Sequence, residues 1–227
     1  MLNDFISLIY PKNCASCGNS LFKHEECLCT FCRYHLPKTN FHLQNGNPVE
    51  KLFWGRADIV SAAAYYAFGK GGKVQHLIHQ LKYNGKKEIG LTVGKLYGLE
   101  LKQSGKYESI DMIIPVPLHE RKKKKRGYNQ SEYFAEGLSK SLHVSTDTST
   151  LIRANESETQ TKKSRFSRWQ NVESIFHIAE PEKLTNKHIL LVDDVVTTGS
   201  TLEACALTLL KIPDVKVSIA TIAFANN

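Results

Sequence analysis

Two adjacent carboxylates, Asp193 and Asp194, follow the apolar run Ile189–Val192 and precede the string Val-Val-Thr-Thr-Gly-Ser-Thr, residues 195–201. Four apolar residues in succession suit a strand buried on both faces of a parallel sheet. Ligands of open α/β sheets bind at the carboxyl ends of such strands. The hydroxyls of Thr197, Thr198, Ser200 and Thr201, with the free N–H groups of a helix start, form a cradle for one phosphate. Gly199 lets the backbone come close to it. Acceptors for sugar hydroxyls thus stand beside donors for a monophosphate, the outline of a ribose 5-phosphate. An acidic N-cap on a surface helix would account for Asp194 alone, not for the whole string. No G-x-x-x-x-G-K-[ST] run occurs, which disfavours P-loop nucleotide hydrolysis.

The second constellation is Cys14-x-x-Cys17 and Cys29-x-x-Cys32, two pairs separated by eleven residues. Each turn lets two thiolates converge, and two turns complete a tetrahedron around zinc, with a rubredoxin-like iron as the alternative. Four thiolates leave no open position for water, so the ion is structural. Binding worth ~10–16 kcal/mol folds a module too short for a core of its own. Cys27 is surplus, as are His24 and His35, and Cys205 reads as a core residue on a helix.

These residues need a frame. The chain has 227 residues, 41% of them hydrophobic, and a formal charge of +8 that favours polyanionic partners. No apolar run reaches the ~18 residues of a membrane span. Asp4 sits where a signal peptide carries basic residues, so the expected location is cytoplasmic, where cysteines stay reduced. Residues 1–45 form one compositional unit, a four-cysteine zinc-binding module that opens on a short helix bearing Leu2, Phe5, Ile6 and Ile9. The turn-rich stretch Asn40–Pro48 reads as a linker. Residues 46–227 alternate strands and helices, which predicts an α/β domain with a mostly parallel sheet flanked by helices.

Two basic stretches remain. Arg121–Arg126 reads as a basic loop, in which Lys122, Lys123, Lys124 and Lys125 are either solvated or in contact with a polyanion. Further on, Lys162, Lys163, Arg165 and Arg168 interleave with Phe166 and Trp169. Single-stranded nucleic acid uses such a pattern, and so does the core face of a helix.

The string "ILLVDDVVTTGST" resembles the phosphoribosyl pyrophosphate (PRPP) signature of type I phosphoribosyltransferases. The order of the paired cysteines, "KYNG" from Lys82, "PVPLHERKKKKRGYNQ", "RANESETQTKKSRFSRWQNVESIF" and "VDDVVTTGST" resembles the ComF family of competence proteins over essentially the whole chain. The resemblance implies a type I phosphoribosyltransferase-like fold that binds PRPP. Asp193 and Asp194 would take the ribose hydroxyls, and Val195, Thr197, Thr198, Gly199, Ser200 and Thr201 the 5-phosphate. Pro115, Val116 and Pro117 would meet the pyrophosphate with its magnesium, helped by Lys82 and Arg126. Arg126, Gly127, Tyr128, Asn129 and Gln130 would face that site or shape its loop. The resemblance also implies a role with single-stranded DNA in natural transformation, beside a DNA-translocating helicase. The alternative is active phosphoribosyl transfer to an unknown acceptor. The chain begins Met-Leu, with neither an N-terminal cysteine nucleophile nor a glutaminase domain, so glutamine-derived ammonia is not the expected acceptor.

Overall fold

The computed structural model describes residues 12–154 and 175–225. The expected first helix and the stretch containing Lys162, Lys163, Arg165, Phe166, Arg168 and Trp169 lie outside the described residues.

Seven strands occur among them: β1 (Ser61–Phe68), β2 (Met112–Pro115), β3 (Ser145–Thr146), β4 (Leu151–Arg153), β5 (Phe176–Ile178), β6 (His188–Val196) and β7 (Lys216–Ala225). Five form a parallel sheet in the order β1-β7-β6-β2-β3. The central strands β6 and β7 are near-continuous apolar runs because helices cover both faces. β4 and β5 leave this sheet and pair antiparallel with each other, Ile152 opposite His177.

The helices are α1 (Thr30–His35), α2 (Pro48–Lys51), α3 (Lys73–Tyr83), α4 (Glu88–Gln103), α5 (Glu120–Arg126), α6 (Gln130–Leu142) and α7 (Ser200–Leu209). α3 buries Val74, Leu77, Ile78 and Leu81, the face its spacing predicts. α4 and α6 approach unusually closely. A Cβ added at Gly94 would lie 2.8 Å from the Gly137 Cα, and one at Gly98 would lie 2.8 Å from the Ser141 Cβ. Ordinary side chains there would force the helices apart.

The basic run is a helix, α5, and not the expected loop. Lys and Arg are good helix formers, and their charges gather at the negative end of the helix dipole. His119 Nδ1 accepts from the Arg121 N–H (3.2 Å) at one end. Gly127, at φ 79°, closes the other end by donating to the Lys123 carbonyl (2.8 Å).

The linker stretch is held firmly. The side-chain amide of Asn47 donates to the carbonyls of Ala62 (2.8 Å), Gln44 (3.1 Å) and Phe41 (3.3 Å), while its oxygen caps α2. Just before it, Ala67 N–H donates to Pro37 O (2.8 Å) and Thr39 N–H to Tyr65 O (3.0 Å). This segment covers the open edge of β1, which would otherwise offer unpaired backbone groups. Cys14, Ala15, Cys27, Leu28 and Cys32 share one buried cluster with Tyr66 of β1 and with Val74 and Leu77 of α3.

Candidate functional site

The strand order reverses between β2 and β6, and β6 outruns its neighbour. Pro115 ends β2 opposite Val192, whereas β6 continues to Val196 against β7, with Asp193 opposite Thr221. The two acids therefore stand within the last residues of a strand rather than beyond it. The crevice next to them is where α/β sheets of this kind bind ligands. It encloses about 210 Å³.

α6 supplies partners for both acids. Asn129 caps the helix by accepting from Ser131 N–H (3.2 Å), and its amide donates to Val116 O (3.0 Å), tying the helix start to the end of β2. The next two residues reach the acids. Gln130 Nε2 donates to Asp194 Oδ2 (2.7 Å), and Ser131 Oγ donates to Asp193 Oδ1 (2.8 Å). The ammonium of Lys82, from the last turn of α3, lies 2.9 Å from Asp194 Oδ1. Burial and the charge of Asp194 push the Asp193 carboxyl up to about 7, against the opposing effect of the Ser131 hydroxyl and the Asp194 N–H.

Lys82, Val116, Pro117, Arg126, Asp193, Asp194, Val195 and Thr201 all line this crevice. Pro115, Thr197, Thr198, Gly199 and Ser200 do not line its walls. The last four form the loop that follows, where the Thr198 and Ser200 hydroxyls are 2.9 Å apart. Gly199 has φ 78° and packs on Phe53, whose ring a Cβ would meet at 3.3 Å. Arg56 braces the loop, donating to Thr198 O (3.2 Å) and Leu52 O (3.0 Å) and pairing with Glu203.

Sequence reasoning brings Asn129 and Gln130 towards the site but misses Gln130 and Ser131 as partners of the acids. It also misses Arg153, which enters the crevice from β4, and Phe53 and Arg56 against the loop. The order Asn-Gln-Ser at a helix start is the signal for the first two; Arg56 and Phe53 offer none. Of the basic run, only Lys122 and Arg126 reach the crevice. Lys123 pairs with Glu132 (3.0 Å) and Lys124 with Glu120 (3.8 Å), while Lys125 is exposed.

The four thiols of Cys14, Cys17, Cys29 and Cys32 have their sulfurs within 4.8 Å of one another. Cys17 Sγ and Cys29 Sγ are 3.7 Å apart. Tetrahedral ligands at ~2.3 Å from a zinc ion stand about 3.8 Å from each other, so the set fits such a metal. The Cys29 N–H donates to Cys14 Sγ (3.3 Å) and the Cys32 N–H to Cys29 Sγ (3.4 Å), as suits thiolates. Cys27 stays outside the set, its thiol pushed up to about 12 by burial and the nearby Glu88.

A phosphoribosyl transferase domain family matches residues 129–227. The DNA utilization protein YhgH of Escherichia coli (strain K12) is 33% identical over 202 residues, covering 87% of this chain and 84% of the relative. Competence protein F of Haemophilus influenzae is 31% identical over 140 residues, 60% of this chain and 61% of the relative. The chain belongs to the ComF family. Among solved structures, adenine phosphoribosyltransferase from Saccharomyces cerevisiae aligns over 62% of this ComF chain and 69% of its own, with a TM-score of 0.39 and 14% identity. Among the described residues of this family member, no helix is long and apolar enough to cross a membrane.

Proposed function

We propose that this ComF-family chain binds PRPP in the crevice between β2 and β6 and serves the handling of single-stranded DNA during uptake or use. One observation carries the first half: two acids at the end of β6 lie in one cleft with Lys82, Lys122, Arg126 and Arg153. The acids suit ribose hydroxyls and the cations suit a ligand rich in phosphate. The loop of residues 197–201 takes the 5-phosphate, and magnesium rides on the pyrophosphate. The cysteine set holds a structural zinc ion within a module of residues 1–45, set on a phosphoribosyltransferase-like domain of residues 46–227.

The DNA half draws on the family and on two exposed rings. Phe31 is 57% exposed and lies under the Lys73 ammonium (5.0 Å), and Tyr83 is 60% exposed and lies under the Arg126 guanidinium (5.3 Å). Aromatic platforms beside cations are how proteins hold single strands.

The deciding experiment measures melting temperature with PRPP and pyrophosphate release with and without bases or DNA. Stabilisation without turnover supports a binding protein. Pyrophosphate release that depends on an added acceptor would make the chain a phosphoribosyltransferase instead. The double variant Asp193→Ala, Asp194→Ala should lose the stabilisation, and unchanged PRPP binding in it would move the site elsewhere.

A further inference from the structure

The acid pair is already neutralised from within the chain. Lys82 takes Oδ1 of Asp194 (2.9 Å) and Gln130 takes Oδ2 (2.7 Å). Asp193 Oδ1 accepts from Ser131 Oγ (2.8 Å) and from the Asp194 N–H (2.8 Å). Three of the four carboxylate oxygens are thus engaged, and a divalent cation on the pair would have to compete with the Lys82 ammonium for Asp194 Oδ1.

Lys82 is also fixed in place from both sides. The neighbouring Leu81 carbonyl accepts from the Tyr128 hydroxyl, and the neighbouring Tyr83 ring lies under Arg126 (5.3 Å). Both anchors come from the segment that leads from the end of α5 to Gln130, at the start of α6. The end of α3 and the start of α6 therefore set the ammonium over Asp194 as one unit. An ammonium has three donors, so after meeting Asp194 it keeps two for a ligand oxygen.

We propose that Lys82 is the resident counter-ion of the Asp193–Asp194 pair, and that this crevice takes a 5-phosphoribosyl ligand without a divalent cation held by the protein. The inference rests on the PRPP reading above. The ligand's pyrophosphate then meets Lys122, Arg126 and Arg153. Gln130 adds selectivity. Its residue is 3% exposed, and its Oε1 is buried without a partner, so a ribose hydroxyl has an acceptor waiting.

The test is calorimetric titration of the full-length protein, keeping its cysteine-bound metal, with ribose 5-phosphate and with PRPP. Each is run in magnesium and in magnesium-free buffer treated with a chelating resin. Ribose 5-phosphate should bind with the same affinity in both. Lys82→Met should bind it about tenfold more weakly without magnesium and recover when magnesium is added. Lys82→Arg, which keeps the charge should the Met variant fold poorly, should stay indifferent to magnesium. Wild-type binding of ribose 5-phosphate that appears only with magnesium would sink the inference while leaving the PRPP site standing. Magnesium-free binding by Lys82→Met equal to wild type would sink it as well. Binding of neither ligand under either condition would end the PRPP reading and this inference together.

Discussion

Gly94 and Gly137 bring the backbones of α4 and α6 together, so that a Cβ on either one would stand 2.8 Å from the Cα of the other. The closeness has a functional consequence because α6 starts at Gln130 and Ser131, the residues that hold the acids. Alanine at Gly94 gains about 1 kcal/mol of helix propensity. It also presses on backbone that no rotamer change can move, and overpacking of this kind costs ~1–3 kcal/mol. We expect Gly94→Val, the bulkier choice, to lower stability in urea by about 2 kcal/mol and to weaken PRPP binding in step. A variant as stable as wild type would mean that the helices separate freely.

The thiol set and its odd neighbour should separate cleanly. The purified protein should carry one zinc ion per chain. Cys17→Ser or Cys32→Ser should lose that ion and with it the fold around α1. Cys27→Ala should keep full metal content, because its thiol is outside the cluster and pushed up to about 12. Metal analysis after gel filtration decides between these outcomes.

Asp193 predicts a pH effect of definite sign. Its carboxyl is raised from 3.8 to about 7 in the folded chain, so the folded state binds the extra proton between those values. The contribution is full in acid and lost as pH rises through about 7. Asp193→Asn, which cannot ionise, should therefore gain melting temperature relative to wild type, and gain more at about pH 8 than at about pH 5. An equal difference at both would mean that Asp193 ionises normally.

The basic helix should divide by function. Lys122 lines the crevice, so Lys122→Ala should weaken PRPP binding. Lys123, Lys124 and Lys125 lie outside it. Neutralising these three should leave PRPP binding alone and flatten the salt dependence of single-stranded DNA binding by up to ~2.1, at ~0.7 for each phosphate that is no longer neutralised. An unchanged slope would assign them to solvent.

Much of this is readable in the sequence, and the misses have physical reasons. The run Ile189–Val192 announces a central strand, because a strand covered on both faces tolerates four apolar residues in a row. The spacing of Val74, Leu77, Ile78 and Leu81 announces α3. β3 is not visible: two polar residues, Ser145 and Thr146, have no period, and only β2 beside them makes a strand. The run of lysines reads as a loop because the helix buries no residue and so shows no apolar period, although Gly127 just after it is a usual helix stop. Lys82 over Asp194 spans more than a hundred residues of sequence, and no local pattern reports such a pair. The fourfold spacing of Gly90, Gly94 and Gly98 is the trace that the helix crossing leaves in the sequence.

The outline of the phosphoribosyl transferase match differs from the unit that folds. The matched stretch 129–227 contains β3, β6 and β7 but not β2, which lies between β3 and β6 in the sheet. Cut at residue 129, the chain would lack the inner strand that joins its two halves, and its acids would lose the lysine that neutralises them. The half of the molecule in which the family signature is written therefore depends on a strand and a helix from the half in which it is silent. Fragments cut to the signature alone would sever the pairing of β2 with β6 and the contact of Lys82 with Asp194.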